Sequence, residues 1–82
     1  MLLYDLIANV SVEDREDVVL DYLNNNSPSK EYEWLFDKGF YQVTIPYTVL
    51  DDYLVFVEKL VKCKYTFQED DTGECISLLF SL

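Results

Sequence analysis

Eighty-two residues carry 16 Asp and Glu against six Lys and Arg and no His, a formal net charge of −10, and 50% of the chain is hydrophobic. That apolar content is enough to fold, which sets aside intrinsic disorder, and the charge sets aside direct binding to nucleic acid or anionic lipid. A single domain of this size buries roughly 60 to 65% of its unfolded surface, so its seven Tyr, five Phe and one Trp are expected to fill a dense core and leave function to the surface.

Residues 2–10, LLYDLIANV, alternate Leu2, Tyr4, Leu6, Ala8 and Val10 with Leu3, Asp5, Ile7 and Asn9, which predicts a central strand buried on most of both faces. No basic segment precedes this run and no stretch reaches the ~20 apolar residues of a membrane span, so a cytoplasmic location is expected. Ser11 with Asp14 three residues later resembles a capping box and predicts a helix over 13–23, with Val12, Val19, Tyr22 and Leu23 toward the core. Asn24 to Lys30, with Pro28, ends it. Aromatic and β-branched runs at 31–36 and 40–47 flank Asp37-Lys38-Gly39 and predict a hairpin.

Thr48 with Asp51 repeats the capping pattern ahead of a second helix over 49–62, whose apolar arc holds Val49, Tyr53, Phe56, Val57 and Leu60 and whose polar arc exposes Val55. Residues 64–69 and 75–82 predict a last hairpin around Asp70-Asp71-Thr72-Gly73. The order β-α-β-β-α-β-β predicts a single α+β domain over residues 1–82. Its mixed or antiparallel sheet of four to five strands carries two helices on one face, and the first six elements follow the ferredoxin-like order.

Chemistry is sparse. Cys63 and Cys75 have no CxxC spacing and no His to complete a zinc set, so buried free thiols are expected. Without His, a Gly-rich phosphate loop or an activated-serine motif, acid–base or nucleophilic catalysis would rest on surface carboxylates with ordinary pKa values, and neither an enzyme nor a cofactor is expected. Asp71-Thr72-Gly73 resembles the Asp-Thr-Gly triplet of aspartic proteases. The likeness is confined to three residues, and Glu69-Asp70 stand where that family has an apolar strand that helps bury the carboxylate. Glu69, Asp70, Asp71 and Glu74 form an acidic tip, which lacks the ordered oxygen spacing of an EF-hand, so no metal is expected. Turn chemistry alone accounts for Asp and Gly there. Tyr32, Trp34, Phe36, Phe40, Tyr41 and Tyr47 have only Lys30 and Lys38 near them, so most of these rings are expected in the core or in cross-strand pairs, not under stacked bases.

Glu13, Asp14, Asp17 and Asp21 share one arc of the first helix. Glu13 and Asp14 gain from the helix N-terminus, but Glu13/Asp17 and Asp17/Asp21 are like charges at i,i+4 that cost a few tenths of a kcal/mol each, with no lysine to relieve them. Four carboxylates over about 12 Å of helix approach the ~3.4 Å phosphate spacing of one DNA strand. Glu13, Asp14, Asp17, Asp21, Glu69, Asp70, Asp71 and Glu74 are therefore the candidate partner-binding residues. The expected function is stoichiometric inhibition of a basic, nucleic-acid-binding protein or nuclease by occupying its nucleic-acid groove, as a phage anti-CRISPR or nuclease inhibitor would. Neutralisation of a basic toxin enzyme by an immunity-like protein uses the same physics. A regulatory module that forms a homodimer through its sheet is the alternative from another class.

Overall fold

The computed structural model describes residues 1–82. Two helices come first, α1 (Leu3–Ile7) and α2 (Val12–Asn26). They are followed by β1 (Leu35–Asp37), β2 (Phe40–Pro46), a 3₁₀ turn (Tyr47–Val49), α3 (Leu50–Phe56), a π-turn (Val57–Val61), β3 (Tyr65–Glu69) and β4 (Cys75–Phe80). The four strands form one antiparallel sheet in the order β1-β2-β4-β3. The α+β class and the two hairpins agree with the sequence reading, whereas the ferredoxin-like order does not, because the chain begins α-α and not β-α.

The correction lies in residues 2–10, which form a short helix and a turn. Leu3 and Ile7, four apart, are buried, and Leu2, Leu6 and Val10 are half-buried, while Tyr4, Asp5 and Ala8 face solvent. That is a helical stripe. Period 2 and period 3.6 both fit so short an apolar run, and Leu and Ala tip it toward helix. The Tyr22 hydroxyl donates to the Met1 carbonyl and ties the chain end to α2.

Helix α2 starts where Ser11 predicts, but the Ser11 hydroxyl donates to the Asp14 carboxylate (3.0 Å) instead of accepting a backbone N–H. Val19, Tyr22 and Leu23 are buried as expected; Val12 is not, being 77% exposed at the helix start. The second helix is interrupted: Lys62 N–H donates to Val57 C=O (2.7 Å), five residues back, and Lys62 closes the turn in the left-handed region at φ 56°. Val61 lies in the core and Leu60 is half-buried, so the apolar arc ends one place later than expected.

Lys38 (φ 53°) and Gly39 (φ 85°) are the two central residues of the β1–β2 turn, the pair of positive φ angles that defines a type I′ hairpin. Register then sorts the side chains. Tyr41, Val43, Ile45, Ile76, Leu78 and Phe80 are buried on one face, and Phe40, Gln42, Thr44, Cys75, Ser77 and Leu79 lie on the other. All 16 buried side chains, from the helical segments, this one sheet face and Trp34 just ahead of β1, make a single core. Trp34 lies in it, with its ring 5.6 Å from Phe80 edge-on and 6.4 Å from Tyr53, and its indole N–H donates to Ser27 Oγ (2.8 Å). The opposite sheet face is open, with a Thr44–Ser77 hydroxyl pair (2.8 Å) at its centre.

Candidate acidic groove

Helix α2 packs beside β1, and the two enclose a groove of about 810 Å³. Glu16, Asp17, Leu20, Asp21 and Asn24 of α2 line it together with Glu33, Trp34, Leu35, Phe36, Asp37 and Gln42. Register puts Phe36 on the core face opposite Tyr41, and Leu35 and Asp37 on the open face opposite Gln42 and Phe40, so the lining wraps round the outer edge of β1. Five carboxylates and no Lys or Arg line it. Leu35 is 55% and Phe36 37% exposed, so the acids surround apolar surface. The local reasons are plain. Glu16 and Leu20, and Asp17 and Asp21, are each one helical turn apart and stack along α2, while Leu35 and Asp37, two apart in β1, share the open face of the sheet. Asn24 fixes the join, its side-chain carbonyl accepting the Trp34 backbone N–H at 2.8 Å.

Of the residues expected from the first helix, Asp17 and Asp21 therefore belong to the groove. Glu13 lines a neighbouring depression of about 320 Å³ with Val12, Arg15, Glu16, Phe36, Gly39, Tyr41 and Leu82, and Asp14 is taken up by Ser11 and faces neither. Arg15 is the one base here, and its Nε is buried without a hydrogen-bond partner. Sequence reasoning missed Glu16, Glu33 and Asp37. Their signal in the sequence is weak, three acids scattered on two elements that only the packing of α2 beside β1 brings together.

The hairpin acids sit elsewhere. Glu69 accepts from the Tyr47 hydroxyl (3.3 Å), and the Asp70 carboxylate accepts from Thr72 N–H (3.4 Å) and Thr72 Oγ1 (3.0 Å), closing its own turn. Glu69, Asp70 and Asp71 line a depression of about 390 Å³ with Thr44, Gln68 and Ser77, which has no apolar residue; Glu74 lies outside it. Register places the two acidic sites at diagonally opposite corners of the sheet. The β1–β2 turn lies at the Phe80–Tyr65 end and the acidic tip at the Pro46–Cys75 end, with β1 and β3 as the two outer strands. They do not form one surface.

Of the six rings of the aromatic segment, Trp34 and Tyr41 are buried, Tyr32 packs half-buried against the core and Phe36 pairs across the strands with Tyr41 (rings 4.6 Å apart), so most take core or cross-strand places as expected, while Phe40 and Tyr47 are exposed. Cys63 and Cys75 are free, but half-buried and not buried, and Cys63 Sγ lies 3.1 Å from the Tyr4 hydroxyl. That hydrogen bond raises the Tyr4 pKa above its ordinary 10.0. Hydrogen bonding to Glu58, the larger cause, and desolvation raise that of Tyr65. No three Cys, Asp or Glu side chains are grouped so as to hold a metal ion, and no helix is long and apolar enough to cross a membrane. Comparison of the chain with protein-family models, with curated proteins and with solved structures found no match.

Proposed function

We propose that this protein is a small acidic interaction protein that binds a basic surface of another protein through the α2–β1 groove and so competes with nucleic acid for that surface. The observation that carries the reading is the set of five carboxylates, without a base, around exposed Leu35 and Phe36. A strand of phosphates is replaced by carboxylates gathered about the β1 edge, Asp17 and Asp21 on α2, Glu33 just before β1 and Asp37 at its end. An arginine of the partner pairs with one of these carboxylates in bidentate geometry, and exposed Phe36 offers a ring for a flat guanidinium. The formal charge of −10 steers a cationic partner in before contact, and burial of Leu35 and Phe36 holds it afterwards. The action is stoichiometric, and no bond is made or broken.

The test is a tagged pull-down from bacterial lysate, with and without an active CRISPR system, eluted by salt and by competing DNA or RNA. It is run in parallel with the Asp17→Lys/Asp21→Lys variant. A nucleic-acid-binding protein retained at low salt, released by nucleic acid and lost to the variant supports the reading. Retention that ignores salt and the two reversals overturns it.

A further inference from the structure

Strand β3 is an outer strand of the sheet, and four of its five residues, Thr66 to Glu69, are exposed, Phe67 by 46%. It holds no Pro, Gly or bulge, the devices that usually blunt a sheet edge. The direction of its free hydrogen-bonding groups follows from the ladder. Asp70 N–H donates to Cys75 C=O (3.2 Å), directly across in the register that pairs Glu69 with Ile76. Residues 66, 68 and 70 therefore spend their backbone groups on β4, and Tyr65, Phe67 and Glu69 point theirs outward. Charge along the strand is polarised as well. Lys59, Lys62 and Lys64, half of the chain's six bases, precede it, and Glu69, Asp70, Asp71 and Glu74 follow.

We propose that the free edge of β3 pairs antiparallel with β3 of a second copy of this chain about a two-fold axis at Phe67, joining two sheets into one of eight strands. This register sets Phe67 against Phe67 and Tyr65 against Glu69 of the second copy. All three outward-pointing residues of each strand enter hydrogen-bonded pairs, about six bonds in all. It also sets Lys64 against Asp70 at both ends. Shifting the register by two residues either way shortens the ladder and breaks that charge match. The complementarity is isologous, the form a closed two-fold dimer requires and a filament does not.

The high net charge opposes association but does not prevent it. The carboxylates of the α2–β1 groove lie across four strands at ~4.8 Å each, beyond the ~8 Å screening length at physiological salt. Because an edge pair of this length buries less than the ~1,200 Å² of a standard interface, the dimer is weak, with a dissociation constant on the order of 10–100 µM.

Analytical ultracentrifugation of the full chain tests this directly. Mass should rise from 9.7 kDa toward twice that value between roughly 1 µM and 1 mM, and association should be tighter at ~0.15 M than at ~0.01 M salt. Phe67→Pro removes an outward N–H together with the Phe67 ring, takes no hydrogen bond from the ladder to β4 and should abolish the dimer, whereas Phe67→Ala, which keeps the N–H, should only weaken it. Lys64→Glu and Asp70→Lys should each weaken self-association about tenfold, and an equimolar mixture of the two should recover it, because each heterodimer end again pairs opposite charges. Circular dichroism checks that each variant is folded. A 9.7-kDa species at 1 mM, a dimer indifferent to Phe67→Pro, or a mixture no tighter than its components overturns the proposal. The last outcome holds even if dimers form, since it means another register or another face.

Discussion

Trp34 binds three parts of the molecule with one side chain. Its ring packs on Tyr53 and Phe56 of α3 and on Phe80 of β4, its indole N–H reaches Ser27 beyond α2, and its backbone N–H reaches Asn24. Trp34→Phe keeps an aromatic body but removes the indole donor and leaves unfilled volume, and it should cost about 2–3 kcal/mol in denaturant unfolding. Asn24→Ala should cost about 1 kcal/mol by leaving the Trp34 N–H without its acceptor. The sequence groups Trp34 with the rings expected in the core or in cross-strand pairs, but its partners are long-range and no local pattern names them. Tyrosines act together at high pH. All seven have their pKa raised, Tyr41 and Tyr53 chiefly by burial, which penalises the phenolate. A raised pKa means the folded state holds these protons more tightly than the unfolded state. The associated stability is complete below the unfolded value of 10.0 and is lost as pH climbs through the folded values. Thermal unfolding should therefore show a Tm insensitive to this group of residues up to about pH 9 and falling above pH 10, in step with phenolate absorbance.

At the scale of elements, the two positive-φ lysines mark where the chain departs from its best local sequence. Lys38 occupies the first central position of the type I′ turn and Lys62 the left-handed residue that ends the π-turn, both places where a side chain costs roughly 1 kcal/mol relative to Gly. Lys38→Asn creates the Asn-Gly pair that this turn favours, and Lys62→Gly removes the strained Cβ. Each should raise stability by about 0.5–1 kcal/mol in equilibrium unfolding, and the two should add because the turns share no partner. Loss of stability in either variant would mean that the lysine side chain contributes more than the strain it bears. The hairpins were legible because turn chemistry is local: Asp37-Lys38-Gly39 and Asp70 to Gly73 both fix their loops with residues of one short segment. Residues 2–10 were not, since an apolar run of that length satisfies both periods and its docking on α2 decides the outcome. The π-turn has no sequence mark at all, since Val57 and Val61, four apart, would share a face in a regular helix as well.

For the molecule as a whole, the separation of its acidic sites sets what one partner can feel. The α2–β1 groove and the Glu69–Glu74 tip lie at opposite corners of a sheet about 14 Å wide and 20 Å long, a diagonal of roughly 25 Å and some three screening lengths at 0.15 M salt. Composition gave the sign and size of the charge, but its division into a groove with apolar surface and a tip without any depends on sheet order, which eight acidic residues in two clusters do not encode. A partner seated on Leu35 and Phe36 contacts Asp17, Asp21, Glu33 and Asp37 and leaves the tip in solvent. Reversing Asp17 and Asp21 to Lys should then weaken such a partner about a hundredfold at 0.15 M salt and remove most of the salt dependence of its association rate. Reversing Asp71 and Glu74, which leaves the Asp70 turn intact, should change its affinity by less than about twofold, with a loss that grows only when salt is lowered and the screening length reaches across the sheet. Equal losses from the two pairs at 0.15 M salt would require a partner surface that wraps both corners, and the groove alone would no longer account for recognition.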